Sequence, residues 1–278
     1  MPGHDAVLKD GSRLHYILTG QEEGPTVVLE SGMGGQALDW CLVRPGLSAF
    51  ATVFSYDRAG LGWSAGAGVP RTAMDDAKRL YELMTKLRLR PPYLLVGHSY
   101  GGLIARWFAS NYSKDVMGIV LVDAVPESRY LDDAFLNGER LRERKAGRRM
   151  MRLGFLLSPV GVPRLLKRHI GAKRLPEPYR AMVKARGSRN GAYEAVYKEL
   201  LNAEQSAHQV AMSPPLPNDM PVIVLSAGRQ TEEWKRGQAE LDGLTDRTRR
   251  EVIPDSWHSI HIYRPDAVVK AVRTILQG

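Results

Sequence analysis

The N-terminal part of the chain contains short apolar runs that are typical of buried strands. These runs are LHYILTG, TVVLESG and VFSYDRAG, and each of them ends at a glycine. Runs of about four to eight residues bounded by turn residues predict strands rather than helices. Between the second and third runs, residues 37–50 have room for a short helix. Pro45 and Gly46 must break or bend that helix, because proline lacks the N–H that a helix interior needs.

Helical and strand-like patterns alternate along the following part of the chain. Residues 72–87 carry apolar side chains at helical spacing, and the amphipathic segment GGLIARWFASNY lies between the strand-like runs PYLLVG and GIVLVDA. PVIVLSAG and REVIP predict two more strands near the end. This order predicts an α/β fold with a mostly parallel twisted sheet and helices on both faces. Such a sheet binds its ligand at the carboxyl ends of the strands.

The alternation stops between residues 126 and 215, where Arg- and Leu-rich helical stretches are separated by Gly and Pro. This stretch has no strands with which to close a sheet, and the chain returns to strand at Pro221. We therefore predict a core of residues 1–125 and 216–278, with residues 126–215 as an inserted helical cap.

Composition narrows the class of protein. The chain has 278 residues, of which 44% are hydrophobic and 25% charged, as expected for a globular protein. It has no apolar run of the roughly 20 residues that cross a bilayer, and its start lacks a secretory pattern, so we expect a cytoplasmic protein. The single Cys41 has no CxxC or Cys/His partner spacing, so the sequence suggests neither a disulfide framework nor a metal site.

The net charge of +9 is unevenly distributed. Residues 126–215 contain 18 Lys and Arg against 9 Asp and Glu, whereas the rest of the chain has 21 of each. A basic segment of this kind suits anionic lipid, an acidic substrate or nucleic acid. Nucleic acid is the least favoured partner, because no recognised binding fold or aromatic stacking motif accompanies the charge.

The segment VGHSYGG places Ser99 in a Gly-x-Ser-x-Gly pattern between a predicted strand and a predicted helix. This context is that of a nucleophile elbow, a tight turn in which flanking side chains would clash with their neighbours. The turn exposes the hydroxyl at the head of the helix. There the backbone N–H of Tyr100 can donate to a developing oxyanion.

A serine hydroxyl needs a base, which in this chain order follows the elbow. His258 lies in the loop between the last predicted strand and the final helix, and His261 is the alternative three residues later. His208 falls in the inserted segment, and His98 is the chain neighbour of Ser99. Position and order favour His258.

Four motifs in order, ESGMGG, YDRAGLGWS, VGHSYGG and WHSIHIYRP, make the chain resemble the α/β-hydrolase superfamily over nearly its whole length. The last motif resembles the family's Gly-His ending, which implies that His258 rather than His261 is the base. The first resembles the family's His-Gly-x-Gly loop and implies that the N–H of Met33 is the second oxyanion donor. Ser31 replaces the usual histidine there, which leaves the backbone donors in place.

The acid that orients the histidine is less clearly marked. Family members commonly carry an Asp after the strand PVIVLSAG, where this chain has Gln230 and Thr231. Glu232 and Glu233 are the nearest carboxylates. Some branches take the acid from the end of the preceding strand, where this chain has Asp123. We favour Asp123, because a strand end holds a side chain better than the start of a helix.

Two further charged positions are interpreted as structural. Asp57 and Arg58 follow a strand and are expected to be part of an ion pair near the site. Glu30 precedes the predicted oxyanion loop, and a buried carboxylate there needs a partner that the sequence does not name.

The sequence therefore predicts a cofactor-independent serine hydrolase of a small or medium apolar ester, with no metal. Epoxide hydrolysis and dehalogenation in the resembling family use an Asp nucleophile, so Ser99 argues against both. The alternatives are a non-catalytic ligand-binding protein and a membrane-associated interaction protein. The resemblance implies that the insertion forms a lid. Its basic helices are expected to pack their apolar faces on the core, with peripheral contact to anionic membrane as the second interpretation. The sequence does not indicate the oligomeric state.

Overall fold

The computed structural model describes residues 2–21, 23–66, 71–131 and 138–278, with side chains from residue 141 onward in the last range. Eight strands form one sheet in the spatial order β1-β2-β4-β3-β5-β6-β7-β8. Their bounds are β1 His4–Val7, β2 Arg13–Gly20, β3 Thr26–Glu30, β4 Thr52–Tyr56, β5 Tyr93–His98, β6 Val116–Val122, β7 Val222–Ala227 and β8 Thr248–Ile253.

The pairing pattern makes the sheet mostly parallel. β2 pairs antiparallel with β1 and with β4, and every other pair of neighbours is parallel. All residues of β3, β4, β5 and β7 are buried, which explains why their sequences are continuous apolar runs rather than alternating ones. The predicted α/β class is confirmed. The sequence pattern did not predict β1, because this edge strand is short, mostly exposed and without an apolar run.

Helices cover both faces of the sheet. On one face lie α2 (Ala73–Lys86) and α3 (Gly101–Asn111), and on the other α1 (Arg44–Ser48) and α12 (Pro265–Gln277). In α2 the Thr72 hydroxyl accepts from the N–H of Asp75, whose carboxylate accepts from the N–H of Thr72. This capping box explains where the helix begins.

The helix predicted over residues 37–50 is two short helices instead. A 3₁₀ helix spans Ala37–Trp40, and α1 begins at Arg44 with Pro45 in its first turn. Proline is well suited to that position, because the first turn has no intrahelical acceptor for its missing N–H.

Between β6 and β7 the chain is helical where the structure describes it. The helices are α4 Ser128–Leu131, α5 Gly138–Leu157, α6 Val162–Leu165, α7 Tyr179–Gly187, α8 Asn190–Leu201 and α9 Ala203–Ala211. Two more helices flank β8, namely α10 Glu232–Ala239 before it and α11 Ile260–Tyr263 after it.

The inserted helices differ in how they bury apolar side chains. Helices α7 to α9 bury Val183, Ala192 and Ala207, as expected for apolar faces that pack inward. In contrast, Leu153 on α5 and Leu165 on α6 are exposed. The expectation of inward packing is therefore wrong for the outer side of α5 and α6, because one helix can pack only one side on its neighbour.

No helix in the part of the chain that the structure describes is long and apolar enough to cross a bilayer.

Candidate active site

Ser99 lies directly after β5, in the sharp turn that leads into α3. Its φ is +52°, in the left-handed region that side chains other than glycine rarely adopt. The surrounding chain holds this conformation, since Ser99 N–H donates to the carbonyl of Val122 (3.2 Å) and its own carbonyl accepts from Gly102 (2.9 Å) and Val125 (3.1 Å). A strained residue fixed in this way is typical of a functional position.

The glycines on either side of Ser99 are required by close approaches of the backbone. A Cβ on Gly97 would lie 2.7 Å from the carbonyl oxygen of Gly101, and a Cβ on Gly101 would lie 2.5 Å from that of Glu30. Neither position accommodates a side chain. The Gly-x-Ser-x-Gly pattern is thus a steric consequence of strand β5, loop and helix α3 meeting at one point.

His258 connects Ser99 to Asp123 through a continuous line of hydrogen bonds. Its Nε2 lies 2.9 Å from Ser99 Oγ, and its Nδ1 lies 2.7 Å from Asp123 Oδ2. Ser99 comes from the end of β5, Asp123 from the end of β6 and His258 from the loop after β8. These distances are those of a nucleophile, a base and an orienting acid. The His258 side chain is 38% exposed, so the line is open to solvent on one side.

Asp123 is fully buried and is held at both carboxylate oxygens. Oδ1 accepts from the N–H of Ala227 (2.9 Å), and Oδ2 also accepts from Nε2 of Gln230 (2.9 Å). Its own φ is +44°, so this backbone too is held in the left-handed region. Gln230, which stands where an acid is commonly found in the resembling family, donates to the acid instead.

The two alternative carboxylates lie at the start of α10. Glu232 is largely exposed and pairs with Lys235 of the same helix at 2.8 Å. Glu233 is also in the first turn of α10, where a negative charge interacts favourably with the helix dipole. The imidazole nitrogens of His258 lie at hydrogen-bond distance from Asp123 and from Ser99. Asp123, rather than either glutamate, is therefore the carboxylate that the structure brings to His258.

The alternative base His261 lies behind the site rather than in it. Its ring packs on that of Trp40 (4.7 Å between centroids) and on that of His98 (4.3 Å), and His98 in turn packs on His258 (4.8 Å). Burial, with the nearby His258, lowers the pKa of His261 to about 3. Burial, with His261 and His258 beside it, also holds the pKa of His98 well below its ordinary value.

These stacked histidines were not anticipated from the sequence. His98 Nε2 faces the carbonyl oxygen of His258 at 3.2 Å, so this chain neighbour of Ser99 supports the loop that carries His258. Within the described residues, no group of three or more His, Cys, Asp or Glu side chains is arranged to hold a metal ion.

The two predicted oxyanion donors flank Ser99. Tyr100 is the first residue of the turn into α3, and Met33 lies in the loop that follows β3, the strand next to β5. This loop packs closely on the nucleophile, since a Cβ on Gly32 would lie 3.2 Å from the Cβ of Ser99. Neither the Met33 nor the Tyr100 N–H donates a hydrogen bond within the described part of the chain.

A buried charge network fixes the loop of residues 31–35, which we call the oxyanion loop after its predicted role. Arg58 donates from Nη1 to the Ser31 carbonyl and from Nη2 to the Gly32 carbonyl, both at 2.6 Å. The same guanidinium contacts the Glu30 carboxylate at 2.6 Å and the Glu199 carboxylate at 3.0 Å. Burial raises the pKa of Glu30 to about 7, against the opposing charge of Arg58. The missing partner of Glu30 is thus Arg58.

Glu199 ties the inserted helices to the oxyanion loop. It lies on α8, is fully buried, and accepts from the N–H of Gly34 at 2.9 Å through Oε2. Its other oxygen accepts from Arg58 and from Arg71. Sequence reasoning missed this residue, because a single glutamate in an amphipathic helix looks like a surface residue until its partners are known.

Arg58 does form structural ion pairs, whereas Asp57 makes hydrogen bonds to different partners. Asp57 Oδ2 lies 2.8 Å from His15 Nδ1, and Asp57 Oδ1 accepts from the N–H of Ala37 at 2.8 Å. Arg58 turns the opposite way, to Glu30 and Glu199. Adjacent residues after a strand point to opposite sides. Asp57 therefore contacts the start of the 3₁₀ helix, and Arg58 contacts the oxyanion loop.

A mostly parallel eight-stranded sheet with a serine, a histidine and an aspartate joined at the carboxyl ends of its strands defines a protein of the hydrolase class. The family comparison agrees with this geometry. Residues 25–265 match the family model described as the alpha/beta hydrolase fold. The chain belongs to the α/β-hydrolase superfamily.

The known proteins to which the chain is similar do not fix its substrate. It is similar to the uncharacterized protein YqjL of Bacillus subtilis, with 26% identity over 95% of this chain and 88% of that protein. The haloalkane dehalogenase DbeA from Bradyrhizobium elkani has the same fold, with a TM-score of 0.75 and 17% identity over 99% of this chain and 97% of that chain. The epoxide hydrolase CorEH also has this fold, with a TM-score of 0.74 and 19% identity over 99% of this chain and 98% of that chain. At these identities the two structures show the fold alone.

Proposed function

We propose that this α/β-hydrolase cleaves a small or medium apolar carboxylic ester through an acyl-enzyme on Ser99. The observation that carries the proposal is the continuous line from Ser99 Oγ through His258 to the buried Asp123, with both links at hydrogen-bond length. A serine in this arrangement acts as a nucleophile once the imidazole takes its proton.

In the proposed reaction Ser99 Oγ attacks the ester carbonyl, and its proton moves to His258 Nε2. The carbonyl oxygen becomes an oxyanion that accepts from the N–H groups of Met33 and Tyr100. The C–O bond to the alcohol breaks as His258 returns the proton to the leaving oxygen. Water then attacks the acyl group with His258 as base and frees Ser99. Asp123 holds the Nδ1–H of the imidazole throughout.

An apolar cluster beside the oxyanion loop supports an apolar acyl group. Leu61, Ala195 and Val196 are buried there, and the partly buried Met33 and Ile170 pack against them. The cluster lies between the core and the inserted helices, on the side of the loop that Gly34 faces. Apolar side chains with a few fixed polar groups are the usual lining of a small-molecule site.

The inserted helices are proposed to form the lid of this site. Support comes from contacts across the boundary: Glu199 of α8 accepts from Gly34, and Ser206 of α9 lies 2.9 Å from the Tyr100 hydroxyl. The first contact reaches the residue next to Met33, and the second reaches Tyr100, which is itself a proposed oxyanion donor. A lid attached at these points would influence which substrates reach Ser99.

A serine-directed fluorophosphonate and a panel of p-nitrophenyl esters test the proposal. We expect covalent labelling at Ser99, shown by peptide mass spectrometry, and turnover that depends on acyl chain length. Ser99→Ala should lose both properties while its circular dichroism stays unchanged. Ser113→Ala, at the opposite end of the sheet, is the matched control and should keep both.

Two outcomes would contradict the proposal. A correctly folded protein that neither reacts with the fluorophosphonate nor hydrolyses any ester would favour the non-catalytic ligand-binding alternative. Labelling that persists in Ser99→Ala would place the nucleophile elsewhere.

A further inference from the structure

The outer side of α5 combines exposed cations with exposed apolar side chains. Positions Arg142, Lys145, Arg149, Leu153 and Leu156 recur at intervals of three or four residues, so they lie on one side of the helix. All of them are exposed, and Leu153 and Leu156 are each more than half exposed. The opposite side of α5 packs on α8, where Gly154 leaves no room for a Cβ beside Tyr193.

The apolar part of this surface continues past the end of α5. Val160 is 76% exposed, Leu165 is 82% exposed and Leu166 is 63% exposed. Single exposed apolar residues are ordinary on a protein surface, but a contiguous group marks an interaction site. We call this surface, from Arg142 to Leu166 on the side away from α8, the α5–α6 outer face.

A groove lies beside these apolar side chains, and cations are among the residues that line it. It has a volume of about 640 Å³ and lies between the C-terminal half of α5 and α6, with Leu157, Val162 and Leu166 among its lining residues. Lys167 and Lys173 also line it and are exposed. Apolar side chains and exposed cations therefore line the same groove.

The cations of the outer face are available to an external partner. Arg142, Lys145 and Arg149 form no ion pair with any side chain that the structure describes, a set that leaves out residues 132–140. Arg144, on the side that faces α9, pairs with Glu204 instead. Among the side chains that the structure describes, none thus neutralises the charge on the outer face.

From these observations we infer that the α5–α6 outer face docks on the surface of an anionic phospholipid bilayer. Leucine and valine side chains enter the boundary between headgroups and acyl chains, and the cations meet the lipid phosphates. A second copy of this chain is a poorer occupant, because it would bring like charges face to face. The inference concerns binding and stands independently of ester hydrolysis, so it is tested on the Ser99→Ala protein.

Co-sedimentation of the full chain with vesicles is the direct test. We expect Ser99→Ala protein to bind vesicles of phosphatidylcholine with about 30% phosphatidylglycerol, and to bind pure phosphatidylcholine at least about tenfold less, since each cation near an anionic surface adds roughly fivefold in affinity. Raising the salt from about 0.1 to 1 M should release most of the bound protein, because the Debye length falls from about 10 to 3 Å.

Two triple variants separate charge from apolar insertion. Replacing Arg142, Lys145 and Arg149 by Gln removes three unpaired cations and should lower binding to anionic vesicles at least about tenfold. The matched control replaces three exposed cations outside the insertion by Gln, namely Lys114, Arg247 and Arg249. The control should bind like the parent protein.

The apolar variant replaces Leu153, Leu156 and Leu165 by Ser. It should also lower vesicle binding at least about tenfold, because the loss of buried apolar area weakens an interfacial contact. Its matched control changes three exposed apolar residues of the sheet to Ser, namely Val7, Leu18 and Val252. Circular dichroism and melting temperature of all four triple variants show whether each one is folded.

Several outcomes would overturn the inference. Absence of binding to anionic vesicles, or equal binding to neutral ones, would exclude an anionic membrane as the partner. Equal loss in a control triple variant would place the contact elsewhere. If sedimentation velocity shows a dimer that the apolar variant abolishes, and vesicles bind neither form, the occupant is a second copy. None of these results bears on ester hydrolysis, which is tested with the parent protein that carries Ser99.

Discussion

The site at the carboxyl edge of the sheet and the outer face of the inserted helices differ in how their polar groups are held. Asp123 is fully buried, and both of its carboxylate oxygens accept hydrogen bonds. Its partner His258 lies between Asp123 and Ser99 and is hydrogen-bonded to both. Arg142 and Arg149, in contrast, are exposed and have no ion-pair partner within the described residues. One region is ordered by its own contacts, and the other is the surface for which we propose an external partner.

This difference predicts how each region responds to substitution. Groups preorganised in a buried site contribute to a reaction because they need not reorganise, so removing one costs orders of magnitude in rate. Charges on an exposed surface contribute little to stability, and removing them changes an association instead. Substitutions that lower the rate by orders of magnitude identify the site. Substitutions that change an association and leave stability unchanged identify the docking surface.

The largest effect is expected from the base. His258→Ala should lower kcat on p-nitrophenyl acetate on the order of 10⁶-fold, as loss of a base in similar triads does. His261→Asn removes the neighbouring histidine and should keep activity within about tenfold, since His261 contacts Trp40 and His98 rather than Ser99. An inactive His261→Asn beside an active His258→Ala would reverse the assignment.

A somewhat smaller loss is expected from the acid. Asp123→Asn keeps the shape but removes the charge that orients the imidazole, and should lower kcat on the order of 10⁴-fold with little change in KM. Glu232→Gln is the matched control, because Glu232 is exposed at the start of α10. If Asp123→Asn turns over normally while Glu232→Gln or Glu233→Gln is inactive, the acid lies on the later loop.

Glu199 tests whether the two regions are coupled through the oxyanion loop. Glu199→Gln removes the charge that pairs with Arg58 and weakens the bond to Gly34. We expect kcat to fall on the order of 10- to 100-fold with a small change in KM, because a displaced donor costs less than a deleted one.

Two comparisons show whether this effect is positional. Glu194→Gln on the same helix breaks a surface pair with Lys198 and should leave kcat unchanged. Glu199→Asp keeps the charge and should recover part of the rate. Equal kcat for Glu199→Gln and the parent, in correctly folded protein, would separate the insertion from the reaction.

The smallest effect concerns stability rather than rate. In the folded protein the pKa of His261 is lowered to about 3, whereas in the unfolded chain it has its ordinary value of about 6.5. As pH falls from 6.5 towards 3 the unfolded state binds a proton that the folded state does not, so the free energy of unfolding falls. At pH 5 this amounts to about 2 kcal/mol.

His261→Asn should therefore lose less stability than the parent between pH 7.5 and 5 in urea unfolding at matched temperatures. His98, whose pKa is lowered in the same direction, keeps part of the dependence in the variant. An identical pH dependence of the free energy of unfolding in both proteins would contradict the assignment of the buried histidine as its source.

Much of the fold followed from the sequence because its signals are local. The continuous apolar runs of β3, β5 and β7 reflect burial on both faces, and the apolar spacing over residues 72–87 predicts α2. The Gly-x-Ser-x-Gly turn encodes its own geometry through steric limits on Gly97 and Gly101. Local patterns of this kind need no knowledge of distant residues.

Contacts between distant residues were decided by the tertiary structure. Asp123 and Glu232 both follow strands, and the path of the chain after β6 and β7 brings Asp123 to the imidazole and leaves Glu232 in solvent. Arg58 and Glu199 are 141 residues apart, and their pairing depends on how α8 lies over the oxyanion loop. The exposed side of α5 is set by its packing on α8. A sequence pattern gives the sides of a helix, but only the neighbour that covers one side determines which remains exposed.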